Sequence, residues 1–130
     1  MKSFLLLPLM LLAITFTSCT KKEYVQPNRT VTTTIPATAW KLDAAKNTYY
    51  AEVNMPEITQ RVFDTYGVLT YFSFDGDTYE AIPDVLDGST FEVTHSVGLL
   101  SIDTQGADGS LVNPPGATIY LKIVLVASDL

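Results

Sequence analysis

The groups from which chemistry could be built in this 130-residue sequence are one cysteine, one histidine, 14 acidic residues and 7 tyrosines. A serine nucleophile needs a neighbouring base, and the single histidine, His95, would have to serve; no GxSxG turn accompanies it. His95 falls in the alternating run Phe91, Val93, His95, Val97, which places it on the apolar face of a predicted strand, the position of a packed histidine rather than a base. With Cys19 the only cysteine, no intramolecular disulfide, CxxC couple or multi-cysteine zinc site is available. Asp75, Asp77 and Glu80, followed by Asp84 and Asp87, offer oxygen ligands for calcium. Tyr79 stands where a third ligand is needed and no glycine follows, so the spacing fails the calcium-loop pattern and reads as acidic turn residues. No metal or cofactor is expected. The carboxylates offer many pairs for glycoside hydrolysis, and the sequence selects none of them.

The tyrosines carry the stronger binding signal. Tyr50, Tyr79 and Tyr120 fall on outward or ambiguous faces of three predicted strands, and aromatic rings stack on sugar faces or peptide side chains. Tyrosine also covers the outer face of a sheet without any ligand, so these three are candidates for binding a glycan or a protein and no more. Nucleic acid is excluded as a partner: the formal charge is −6, which repels phosphates, and no cluster of lysines and arginines is interleaved with aromatics.

Cys19 is informative through its position. The start, MKSFLLLPLMLLAITFTSC, has one basic residue at Lys2, an apolar stretch from Phe4 to Phe16, and then the small polar pair Thr17 and Ser18. That stretch is shorter than the roughly 20 residues a helix needs to cross a bilayer, and Pro8 weakens it further as a permanent anchor. The residues around Cys19 resemble the lipobox of bacterial lipoproteins, in the loose form of Bacteroidota with Ser directly before Cys; Phe16 stands where the strict pattern prefers Leu. The resemblance implies cleavage before Cys19 and diacylglyceryl transfer to its thiol. Acyl chains contribute about 0.8 kcal/mol per buried CH₂, so two or three on one residue make a stable membrane anchor. Thr20 is unlike an inner-membrane retention residue, and Lys21 with Lys22 departs from the acidic export tag of surface lipoproteins in this group. The implied location is the cell envelope, anchored to the outer membrane, with either face open.

The elements that position these groups follow from periodicity. Residues 1–18 are the predicted signal peptide. Residues 19–37 are the lipidated cysteine and a flexible tether, polar and threonine-rich, whose stretch from Thr20 to Thr34 spans up to about 50 Å when extended. Val31 and Ile35 among its threonines also fit a first edge strand. Residues 38–130 are the predicted folded domain. In Thr48 to Met55 the residues Tyr49, Ala51, Val53 and Met55 share one face. Val68 to Phe74 is apolar on both faces, which predicts a central strand. Asp75, Gly76 and Asp77 form a hairpin turn, and Thr78 to Ile82 is its return strand. Strands follow at Phe91 to Val97 and Leu99 to Asp103, then a long loop from Gln105 to Gly116, then a last strand, Thr118 to Val126. Between Pro56 and Tyr66 the apolar residues Ile58, Val62, Phe63 and Tyr66 recur at helical spacing, with Gly67 as a stop.

This pattern predicts an all-β fold, a single antiparallel β-sandwich of immunoglobulin-like type with one short crossover helix. The body also resembles small lipoproteins of Bacteroidota through Trp40, the run Tyr49, Tyr50 and Ala51, then Val53, then Pro56 with Ile58 and Thr59, Gly67 through Leu69 with Tyr71, Ile82 with Pro83, and Tyr120, Lys122 and Val124, over about residues 38 to 126. These are packing positions, so the resemblance implies fold and location and brings no activity. The expectation is a non-enzymatic interaction or accessory module, held to the membrane through Cys19. The alternatives are an envelope enzyme or enzyme subunit acting on glycans through carboxylates, and a structural subunit that exchanges strands through an unpaired edge.

Overall fold

The computed structural model describes residues 26–128, so the predicted signal peptide and the predicted lipidation site at Cys19 lie outside the described residues. Nine strands and one helix follow in order: β1 (Arg29–Ile35), β2 (Lys41–Asp43), β3 (Thr48–Met55), α1 (Gln60–Thr65), β4 (Tyr66–Ser73), β5 (Glu80–Ile82), β6 (Asp84–Leu86), β7 (Ser89–Ser96), β8 (Gly98–Gly106) and β9 (Ile119–Ala127). They form two antiparallel sheets, one ordered β1-β9-β4-β5 and the other β2-β3-β8-β7-β6. This is the predicted all-β sandwich with one short helix. Within that class its strand order is its own: the first and last strands are neighbours in one sheet, whereas an immunoglobulin constant domain divides them between sheets.

The strongest periodicities fold as read. On β9 the inward residues Ile119, Leu121, Ile123 and Leu125 are each at most 2% exposed, and they meet Ala51, Val53 and Met55 of β3 with Leu100 and Ile102 of β8 in one core. Phe72 and Phe91 cross from sheet to sheet with ring centroids 4.8 Å apart. The core is interrupted by two hydroxyls, Thr70 and Thr104, which are buried without hydrogen-bond partners in the described structure.

The short strands β2 and β6 are absent from the periodic reading, and four further features differ from it. The segment 19–37 is not all tether, because β1 begins at Arg29 and pairs along its whole length with β9, with Ile35 opposite Ile119 and 2% exposed. Gln26 and Asn28 already contact the domain, accepting from the Tyr66 hydroxyl and the Ala127 amide. The helix is shorter than 56–66: Thr59 caps it by accepting from the Val62 amide, and after Thr65 the chain passes straight into β4, so Gly67 sits in a strand. β8 runs on to Gly106, which shortens the glycine-rich loop. His95 is exposed, because β6 pairs with β7 only from Ser89 to Phe91 and leaves the rest of β7 as the sheet edge, even though Leu100 opposite His95 is buried.

The two ends of the sandwich are distinct. At one end lie the entry of the chain near Gln26, α1, the β7–β8 turn at Gly98 and the C-terminal end of β9, tied together by Gly98 donating to the Ile58 carbonyl and Ser128 donating to Thr65. At the other end lie the β2–β3, β4–β5 and β6–β7 turns.

Candidate functional site

The three candidate tyrosines lie on two different faces. Tyr79 and Tyr120 belong to the outer face of the four-stranded sheet, where cross-strand register places Tyr71 of β4 opposite Lys122 of β9 and Ser73 opposite Tyr120. The Lys122 ammonium lies 4.3 Å from the Tyr79 ring centroid and 5.3 Å from that of Tyr71, so a cation of the chain itself occupies these aromatic faces. Tyr120 is 40% exposed and lies beneath the β4–β5 turn, close enough that a Cβ on Gly76 would meet its ring at 3.5 Å. Sequence reasoning missed Tyr71 and Lys122 as members of this cluster. Their alternation with inward residues was visible, but the register that joins them was not.

The turn over Tyr120 explains the acidic residues around it. Asp75 Oδ1 accepts from the Thr78 amide, the Asp77 amide and the Ser73 hydroxyl, each at 2.8 Å. Those donors hold its carboxyl down at about 2, the backbone amides of Thr78 and Asp77 contributing most. Gly76 supplies the positive φ of 84° that the turn requires. Asp108 is likewise lowered by the Ser110 hydroxyl and then the Ser110 amide. Both groups organise turns. Among the described residues no group of three or more His, Cys, Asp or Glu side chains gathers in a way that could hold a metal.

Tyr50 lies on the opposite side of the sandwich, on the outer face of the five-stranded sheet. There it lines a groove of about 430 Å³ together with Thr48 and Glu52 of β3, Ser101 and Asp103 of β8, and Thr94 of β7, with the β2–β3 hairpin forming a wall through Leu42, Asp43 and Lys46. Register explains the assembly: Tyr50 stands opposite Asp103, Glu52 opposite Ser101, and Ser101 opposite Thr94, so alternate residues of three adjacent strands project together. The hairpin wall is fixed by Asp43, whose Oδ1 accepts from the Ala45 and Lys46 amides at 3.1 and 3.2 Å, and by Asn47 in a left-handed conformation that ties its side-chain amide to the Gly109 carbonyl.

The polar groups of the groove are partly engaged with one another. Lys41 donates to Glu52 at 3.2 Å and lies 5.7 Å from the Tyr50 ring centroid, and Ser101 donates to Asp103 at 3.3 Å. Glu92, also on this face, pairs directly with Asp103 across β7 and β8, a juxtaposition of like charge that the sheet tolerates at some cost. The arrangement offers one aromatic face, several hydroxyls and carboxylate acceptors. His95 does not line this groove; its ring stands edge-on to Phe63 at 5.8 Å.

The sheets end in four edge strands, β1 and β5 in one and β2 and β6 in the other, and β1 is the longest of them at 7 residues. Comparison with known protein families, with curated proteins and with solved structures gives no match to this chain.

Proposed function

We propose that this chain is a lipoprotein of the cell envelope, anchored to the outer membrane through lipid on Cys19, whose β-sandwich is a non-enzymatic binding module that takes an uncharged glycan into the groove at Tyr50. The observation that carries the ligand class is the composition of that groove. An aromatic ring beside hydroxyls and carboxylate oxygens on a rigid sheet matches the alternating apolar faces and hydroxyl rims of a sugar chain. Asp43, Glu52 and Asp103 outweigh Lys41 and Lys46 around it, which disfavours phosphorylated or acidic ligands. Both rings have a lysine over them, and Tyr50 is the better platform because Lys41 stands off at 5.7 Å while Lys122 lies 4.3 Å from the Tyr79 ring centroid.

The test is calorimetric titration of the mature chain with uncharged oligosaccharides of graded length, such as glucans, mannans and xylans. Loss of one stacking ring removes about 1 kcal/mol, so Tyr50→Ala should weaken binding by roughly five- to tenfold while Tyr120→Ala leaves it unchanged. Equal affinities for wild type and Tyr50→Ala would remove the groove from consideration. Anchorage is tested by growth with labelled palmitate: incorporation into the wild-type chain and none into Cys19→Ala is expected, and equal label in both refutes it.

A second reading has one observation in its favour, the direct pairing of Glu92 with Asp103, since a hydrolase of glycans works through two nearby carboxylates. Release of reducing ends from the oligosaccharides that bind, lost in Glu92→Gln, would replace the binding module with an enzyme.

A further inference from the structure

We infer that the α1 end of the sandwich seats directly on the lipid bilayer, with Phe63 and Val97 entering the headgroup boundary as a second contact beside the anchor; this rests on the lipid-anchor reading of Cys19. Phe63 of α1 and Val97 of the β7–β8 turn are 44% and 50% exposed. They belong to the same end, because the Gly98 amide donates to the Ile58 carbonyl at 2.8 Å and the Phe63 ring meets His95 of β7. That end is also where the chain enters the domain, at Gln26 and Asn28, both held by hydrogen bonds to β4 and β9.

Chain length decides which end can meet the membrane. From Cys19 to Gln26 the chain reaches at most about 25 Å at full extension. The sandwich is longer than that, since β8 alone crosses it in eight steps of roughly 3.3 Å, about 26 Å, and the turns beyond each end add to it. The far end therefore cannot lie on a bilayer that holds a lipid on Cys19. Charge agrees with that choice. Among the described residues the far end carries Asp43, Asp75, Asp77, Asp87 and Asp108 against Lys46, and anionic headgroups repel it; the α1 end balances Arg29 and Arg61 against Glu57 and Asp64. Exposed apolar side chains occur at both ends, with Phe74 and Leu111 at the far one, so reach and charge choose the end, and Phe63 and Val97 are the apolar side chains that then meet the interface.

The experiment uses the full chain, expressed in a bacterium that matures lipoproteins and reconstituted into vesicles of phosphatidylethanolamine and phosphatidylglycerol. Lipid occupies the Cys19 sulfur, so a cysteine introduced by Val97→Cys, Ser110→Cys or Thr32→Cys becomes the single reactive thiol for an environment-sensitive dye. These positions report the α1 end, the far end and the outer face of the four-stranded sheet. The expected result is blue-shifted emission at position 97, quenched severalfold more by nitroxide lipids than emission at 110 or 32. Quenching at 32 equal to that at 97 would lay the sheet face on the bilayer, and quenching at none of the three would leave the domain clear of it; either overturns the inference while the anchor stands. Two dyes per chain, together with failure to float with the vesicles, would show a free Cys19 thiol and sink the anchor itself.

Discussion

Replacing Ile35 by alanine separates a folded first strand from a tether. In a tether that side chain touches nothing fixed, and the substitution falls within the roughly 0.5 kcal/mol typical of surface positions. In the structure Ile35 closes β1 opposite Ile119, is 2% exposed, and belongs to the core cluster. Truncating a buried isoleucine to alanine costs about 2–5 kcal/mol, from lost transfer free energy plus the cavity left behind. β1 is an edge strand held by one neighbour, so the site can relax and the lower half of that range, about 2–3 kcal/mol, applies. For a domain near 100 residues each kcal/mol is worth about 4–8 °C, which places the fall in Tm at roughly 10–20 °C. The assay is urea and thermal unfolding of the mature chain followed by circular dichroism, with Thr34→Ala, an exposed neighbour on the same strand, as the control. The denaturant slope should stay constant, marking a change in stability and not in the extent of unfolding. If Ile35→Ala melts with wild type and with Thr34→Ala, then β1 is not part of the cooperative unit and the register with β9 is wrong.

Two further substitutions probe the core and the turn. Thr104 is 1% exposed with no partner for its hydroxyl, so Thr104→Val exchanges an unsatisfied polar group for a methyl in the same β-branched shape; a gain of about 1 kcal/mol is expected, and an unchanged or lower Tm would mean the hydroxyl is satisfied. Asp75 has its carboxyl depressed to about 2 from an ordinary 3.8, so its contribution to stability is present above the ordinary value and is lost as pH falls through about 2. Asp75→Asn should therefore be less stable than wild type near neutrality, and the difference should close as the pH of the unfolding experiment falls from about 4 to about 2. A gap independent of pH would show that the turn does not depend on the charge.

What could be read from the sequence follows from how each element buries itself. β3 and β9 are long enough for period two to show, and each presents a continuous inward row, so their boundaries fall within a residue of the periodic reading. β2 and β6 have three residues each, too few for any period, and neither was foreseen. β1 was visible only as an alternative to the tether, because its run RTVTTTI is mostly threonine, which suits a strand and a polar linker equally. His95 shows the converse limit: local alternation assigns a face but does not say that this part of the strand is a sheet edge. Alternation places Tyr50 and Tyr120 on outward faces, but it does not show that they belong to different sheets, a fact of strand order. The groove was hidden for the same reason. Its floor comes from three strands of the five-stranded sheet, two of them far from Tyr50 in sequence, and its wall is the β2–β3 hairpin that the periodic reading lacks.

The placement of that wall links the two proposals. Asp43, Lys46 and Thr48 lie at the end of the sandwich farthest from where the chain enters, while the groove opens sideways from the outer face of the sheet. A domain resting on its α1 end would hold the Tyr50 groove above the headgroups and clear of them, with its mouth facing along the membrane and not into it. Folding residues 29–35 into β1 makes this possible, because it leaves only the stretch before Gln26 to span the gap and so restricts the tumbling that a 50 Å leash would permit. In that arrangement the groove would favour ligands that extend outward from the envelope, and lengthening the segment between Cys19 and Gln26 with a glycine-serine insert should leave affinity for free oligosaccharide unchanged while abolishing the position-specific quenching at residue 97. An insert that changed the affinity instead would place part of the binding surface at the membrane-facing end.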